Sequence, residues 1–177
     1  MGPETPSGFR VHIEVMETAD KGLGVFTAET IKKGDIVWRH VPGNYTVYDE
    51  HMFRSFIGGL TNEEAEYQLT HMFGLMGVSD CVIGIHDAGA LINHSNPANL
   101  ATKNPRPIET GVDTTPGTYI RDVSAALLDD DYALVATRDI ESGEELTTDY
   151  RAECHEPAWF NSVHEQYGVV ETYLDDR

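Results

Sequence analysis

Only two cysteines, Cys81 and Cys154, occur in 177 residues, and they lie far apart in the chain. Neither a disulfide framework nor a four-ligand zinc site is indicated, one disulfide at most is open to the chain, and a reducing, intracellular setting fits best. Basic residues are also scarce: 12 Lys and Arg face 30 Asp and Glu, for a net charge of −18. A surface of that sign repels phosphate backbones, which disfavours direct nucleic-acid binding, and draws in cationic peptides. No run approaches the roughly eighteen apolar residues a membrane span needs. The N-terminus Met1 to Pro6 lacks the basic start and apolar stretch of an export signal, and Pro6 stands where myristoylation requires Ser or Thr. The expectation is a soluble protein with no membrane partner.

A chain of this length forms one domain, and folding removes roughly 70% of its unfolded surface from water. Residues 1–9, rich in Gly and Pro, read as a flexible tail. From Arg10 to Glu17, Val11, Ile13 and Val15 alternate with polar positions, which predicts a strand with one apolar face. The layout after Gly22-Leu23-Gly24, namely strand, Ile31-Lys32-Lys33-Gly34-Asp35 turn and strand, recurs at Leu134 to Leu146 around Ile140-Glu141-Ser142-Gly143-Glu144. Two such hairpins predict a mainly β protein with short helices.

Between them, at about 49–73, the pattern turns helical. Met52, Phe53, Phe56, Ile57 and Leu60 recur at three- and four-residue spacing, and Thr61-Asn62-Glu63-Glu64 reads as a capping box opening a second helix through Ala65, Leu69, Met72 and Phe73. That stripe is core rather than a cofactor box. Residues 104–118 have the Pro/Gly/Thr composition of a mobile loop, and Asp129 to Asp131 form a charged turn. A last short helix carries Trp159 and Phe160, starting at Pro157 and closing at Gly168.

The densest group of polar residues follows an apolar strand. Cys81 to His86 alternates as a half-buried strand, with Cys81, Ile83 and Ile85 on one side, and Asn93-His94-Ser95 comes after the turn at Asp87-Ala88-Gly89. Asn and Ser side chains bond nearby backbone and hold an irregular bend, and Asn96-Pro97 favours a turn. A metal centre built from His86, Asp87 and His94 is disfavoured, because His86 and Asp87 fall on opposite faces and His94 lies beyond the turn.

Taken in order, Lys21-Gly22-Leu23-Gly24-Val25-Phe26, Asn93-His94-Ser95 and Gly143-Glu144-Glu145-Leu146-Thr147-Thr148-Asp149-Tyr150 resemble the SET-domain family of protein lysine methyltransferases. The resemblance spans residues 10–151. It implies a fold of several small sheets with a threaded, pseudoknot-like C-terminal segment, a substrate-facing helical insert, and a following segment at 152–177 that closes the site. It also implies S-adenosyl-L-methionine as cofactor and a basic protein or peptide with a target lysine as partner. Lys21, Gly22, Leu23, Gly24, Asn93 and His94 would hold the cofactor, His94 through its backbone. Tyr150 would act as the catalytic residue, orienting methyl and amine.

The chain also departs from the family pattern. Ala90 to Asn99 lacks the arginine, the cysteine and the Pro-Asn pair that many members carry around Asn-His-Ser, and the zinc-binding cysteines after the domain are missing. Trp159 and Phe160 are the expected replacement for that closing element. Thr148 stands where an aromatic ring precedes Asp-Tyr, and His40 stands near a channel position often held by Tyr. These four are the substrate-channel candidates. The altered channel admits a second reading, a SET-fold module that binds a basic tail without turnover.

Overall fold

The computed structural model describes residues 5–74, 80–106, 108 and 116–169. Its strands are β1 (Ile13–Glu17), β2 (Leu23–Thr27), β3 (Ile36–Trp38), β4 (Tyr45–Tyr48), β5 (Met72–Phe73), β6 (Val82–Ile85), β7 (Asn93–His94), β8 (Leu100–Thr102), β9 (Leu134–Ala136) and β10 (Thr147–Thr148). The helices are α1 (Glu50–Ile57), α2 (Asn62–His71), α3 (Pro116–Leu127), α4 (Tyr150–Glu153) and α5 (Ala158–Tyr167). Four small sheets result: β1–β2, β3–β9–β8, β4–β6–β5 and the parallel pair β7–β10. The architecture is mainly β with short helices, as the sequence implied.

The two recurrent turns pack against each other. Ile31 and Ile140 exchange backbone hydrogen bonds of 2.9 Å in both directions. Gly34 N–H donates to Ala136 O (2.8 Å), and Gly143 N–H donates to Thr27 O (2.7 Å). Both glycines have positive φ, +90° and +88°, a region that costs a side-chain-bearing residue about 1–2 kcal/mol. The pair frames a core of Val25, Ile31, Val37, Ile92, Leu100, Ile140 and Leu146.

The strand β6 is not half-buried. Cys81 and Ile83 face Val123, Leu127 and Tyr132, while Val82 packs with Phe53, Leu69 and Phe160. The reason is α3, which the sequence reading did not assign: it covers one face while α1, α2 and α5 cover the other. Conversely β1 pairs with β2 alone among the described strands, and Val15 of the expected apolar face is 41% exposed.

Thr61 and Glu64 do form the capping box that opens α2, an arrangement worth about 1 kcal/mol. The helix ends at His71 rather than running through Phe73, because Met72 and Phe73 pair with Gly84 and Ile83 of β6. Residues 8 and 9 are not a tail. Gly8 N–H donates to Asp87 Oδ2, Arg39 N–H donates to Gly8 O (3.1 Å), and Phe9 bridges to Trp38. A Cβ at Gly8 would fall 2.2 Å from Arg39 O, so the small residue read as a sign of looseness is what lets this segment dock. Of the expected loop at 104–118, residues 107 and 109–115 lie outside the described residues, and Asn104 and Arg106 are pinned to Asp131 O and the Tyr132 hydroxyl.

Candidate functional site

The segment from Glu144 to Tyr150 is held on both sides. Toward β2, Thr27 N–H donates to Glu144 O (3.0 Å) and Leu146 N–H to Val25 O (2.7 Å). Toward the bend, Thr147 and Thr148 run parallel to Asn93 and His94, and Ser95 N–H donates to Thr148 O (3.0 Å). Asn99, buried, locks the crossing with both ends of its amide: Nδ2 donates to Glu145 O (2.7 Å) and Oδ1 accepts from Thr147 N–H (2.9 Å). Sequence reasoning missed Asn99, whose only signal was an Asn shortly after the Asn-His-Ser bend.

Beside this crossing lies a cavity of about 750 Å³. Lys21, Gly22, Leu23, Asn93 and His94 contribute one part of its wall, and His40, Thr148 and Tyr150 contribute another. The expected residues therefore converge, with three exceptions. Gly24 does not line the cavity; it is packed so closely that a Cβ would meet Glu145 Oε1 at 2.7 Å and Asn93 Nδ2 at 3.0 Å. Phe160 is fully buried, its ring 5.2 Å from Phe53, and Trp159 lies tilted at 48°, 5.7 Å from the same ring. Neither covers the cavity. The helix α5 reaches it through His164 instead, because its apolar face is used up holding α1 and α2.

Asn93 ties the glycine turn to the crossing. Its Nδ2 donates to Leu23 O (3.1 Å) and to Glu145 Oε1 (2.8 Å). Glu145 is thus a partner of the site, whereas Glu144 serves the turn before it by accepting from Arg138 and from Glu141 N–H. The His94 ring bridges to α4: Nδ1 accepts from Tyr150 N–H (3.1 Å). A backbone N–H can only donate, so the neutral ring carries its proton on Nε2. Asp149 caps α4 by accepting from Arg151 N–H (3.1 Å).

The Tyr150 hydroxyl donates to Ile92 O at 2.6 Å. Burial, with the Cys154 and Glu145 charges adding to it, pushes the phenol well above its ordinary pKa. It is a fixed donor and not a base at neutral pH. The cavity is also lined by His94, whose O takes Lys21 Nζ (2.8 Å), by Glu153, whose carboxylate accepts from Thr102, and by the acids Asp20 and Glu156. Among the described lining residues Lys21 is the one Lys or Arg. The acidic balance of this lining favours a cationic ligand over an anionic one. Among the described residues no group of three or more His, Cys, Asp or Glu is placed to hold a metal ion, and no helix is long and apolar enough to cross a membrane.

The family model of the SET domain matches residues 22–151, from the glycine turn to the end of the crossing segment. The chain belongs to the SET-domain family. Its backbone is similar to that of the Neurospora SET-domain protein DIM-5, a histone lysine methyltransferase, at 23% identity and a TM-score of 0.51, over 81% of this chain and 53% of that one. The methyltransferase domain of human histone-lysine N-methyltransferase SETMAR is similar at 22% identity and a TM-score of 0.52, over 80% of this chain and 45% of that one. At these identities the likeness is one of fold, that of a lysine methyltransferase-type domain, and the chain spans about half the length of either protein. No curated protein sequence matches it.

Proposed function

We propose that this SET domain is an S-adenosyl-L-methionine-dependent protein lysine N-methyltransferase acting on a basic protein or peptide. The observation that carries the reading is the Tyr150 hydroxyl, held by Ile92 O at 2.6 Å beside the cavity that Lys21 to Leu23, Asn93 and His94 also line.

The cofactor, when bound, supplies an electrophilic methyl on a sulfonium. The residues present fit it: Asn93 and the His94 backbone would hold its amino-acid and adenine parts, and the open Gly22, around which a Cβ would meet nothing within 4 Å, leaves the backbone of the turn accessible. Gly24 supports that turn from behind. The chain's own tasks are then two. A lysine amine with an unperturbed pKa near 10.4 is neutral in roughly one molecule in a few thousand at pH 7, a cost of about 4.6 kcal/mol. A desolvated channel beside a cation lowers that pKa. Alignment is the second task, and the Tyr150 hydroxyl, rigidly held, orients methyl and amine as a near-attack pair.

On the substrate side, the lining acids and the overall charge of −18 favour a basic segment. Calorimetric titration of S-adenosylmethionine, followed by mass spectrometry of basic proteins incubated with it, tests the reading. Binding without transfer to any lysine would instead assign the chain as a non-catalytic module for a basic tail.

A further inference from the structure

We propose that Glu153 is a positioning residue for methyl transfer: its carboxylate, by holding Thr102, fixes the one-turn helix α4 and with it the Tyr150 hydroxyl. The inference rests on the methyltransferase reading above.

A helix of four residues has no stability of its own, since a first turn costs more in ordered backbone than its few hydrogen bonds return. What keeps α4 in place is therefore the set of contacts that leave it. At its start, Tyr150 N–H donates to His94 Nδ1 (3.1 Å). At its end, the Glu153 carboxylate accepts twice from Thr102: one oxygen takes the backbone N–H at 3.0 Å and the other takes the hydroxyl. Just beyond, His155 N–H donates to Gly74 O (2.9 Å).

The Glu153 contact joins α4 to the β3–β9–β8 sheet, in which Thr102 pairs with Leu134. Because β8 lies at the edge of that sheet, the outward N–H of Thr102 has no strand to bond. Thr102 is only 9% exposed, and a backbone N–H so placed is costly to leave unpaired. The carboxylate supplies the missing acceptor and takes the neighbouring hydroxyl as well.

The spacing makes this tie bear on Tyr150. Residues three apart share one face of a helix, and Tyr150 and Glu153 both line the cavity. Any rotation of α4 about its axis would swing the two side chains together, so a carboxylate locked to Thr102 also holds the angle of the phenol. The bond from the hydroxyl to Ile92 O at 2.6 Å fixes only the tip of that ring. Transfer geometry is less forgiving, since a displacement of about 1 Å can cost roughly a hundredfold in rate. Each Glu153 oxygen already accepts from Thr102, so the side chain acts through α4 and not on the reacting atoms.

The experiment reads single-turnover methylation of a basic peptide, S-adenosylmethionine affinity by calorimetry, and the fluorine resonance of 3-fluorotyrosine placed at position 150. Thr102→Val keeps the size of the side chain, the backbone N–H bond and the Glu153 charge, and removes only the hydroxyl. It should slow the single turnover about tenfold while cofactor affinity and the half-saturating peptide concentration stay within about twofold. The fluorine resonance should shift or broaden. Thr102→Ser returns the hydroxyl and should return both rate and resonance. Glu153→Gln, with one acceptor in place of two, probes the same bond from the other side and should behave as Thr102→Val does, which keeps the test open if the valine variant does not fold. In a Tyr150→Phe background, Thr102→Val should cost no further rate, because the hydroxyl being positioned is gone, whereas a merely structural contact would cost rate in either background. A wild-type rate with an unmoved resonance in Thr102→Val would overturn the proposal, as would a rate loss undiminished in Tyr150→Phe or a serine variant no better than valine. If Tyr150→Phe is too slow to time, the resonance decides alone. If wild type methylates no peptide, the methyltransferase reading fails, and the resonance still shows whether the Glu153–Thr102 contact sets the Tyr150 ring.

Discussion

The Tyr150 hydroxyl donates to the carbonyl of Ile92 at 2.6 Å, so the last residue of the crossing segment is fastened to the residue just before Asn93. Tyr150→Phe removes that donor and keeps the ring. The expected loss of stability is about 1 kcal/mol, for one buried bond and a carbonyl left unpaired. Cofactor affinity should stay within a few fold, while single-turnover methylation should fall strongly, because the hydroxyl is assigned to transfer geometry and not to ground-state grip. Full single-turnover activity in a folded Phe variant would remove Tyr150 from the mechanism.

Asn93→Ala is expected to weaken S-adenosylmethionine binding at least about tenfold. The amide nitrogen bonds Leu23 O and Glu145 Oε1 at once, and stranding such partners costs roughly 1–3 kcal/mol each. The glycine turn would lose its register against the bend. An unchanged dissociation constant by calorimetry, in a variant with wild-type thermal unfolding, would sink the assignment.

What the sequence made legible was local. The turns at Gly34 and Gly143, the capping box at Thr61 and Glu64 and the Asn93-His94-Ser95 bend are each written within a few consecutive residues. What it hid depends on partners distant in the chain. That Gly8 docks on Arg39, that Asn99 clamps Glu145 and Thr147, and that Val82 is as buried as Ile83 all follow from pairings between separate segments. The helix α3 opens with Pro116-Gly117, which reads as a turn, and its inward residues Val123 and Leu127 are four apart, too few to announce a helix.

The burial of Phe160 revises the expectation for the C-terminal segment. With 0% exposure, packed on Phe53, it belongs to the core shared by α1, α2 and α5. Phe160→Ala should therefore cost about 3–5 kcal/mol, and truncation after Glu156 should lower the melting temperature steeply rather than leave a folded, inactive domain. A truncated chain that melts like wild type would return α5 to a purely covering role.

Acid should destabilise the protein partly through His40. The unfolded ring takes a proton near pH 6.5, whereas the buried ring does so only at about 3. Between those values the unfolded state binds more protons, so stability falls as pH falls through the window, by about 1.4 kcal/mol per pH unit for one group. Above pH 6.5 the effect is absent. The carboxylates whose pKa is lowered, such as Glu144 and Asp139, also lose their contribution in acid, but they are common to wild type and His40→Phe and cancel in the comparison. Denaturant unfolding at neutral and at mildly acidic pH should show a smaller acid loss in His40→Phe; equal losses would mean the ring is not buried in its neutral form.

Thr148 is proposed to set the space beside the substrate amine. Its side chain is 6% exposed and lines the same cavity, in a position next to Asp149 and Tyr150. A three-heavy-atom side chain there leaves room that an aromatic ring would fill, and room beside the amine decides whether a methylated nitrogen can rotate and react again. Wild type should thus add more than one methyl per lysine, and Thr148→Tyr should shift the product toward monomethyl-lysine. The bulkier ring sits among buried neighbours, so overpacking of about 1–3 kcal/mol is expected, and thermal unfolding must accompany the assay. Mass spectrometry over time decides the point. Wild type that halts at monomethyl-lysine under excess cofactor would show that another group closes the space beside Thr148, and the first place to look would be the His40 ring.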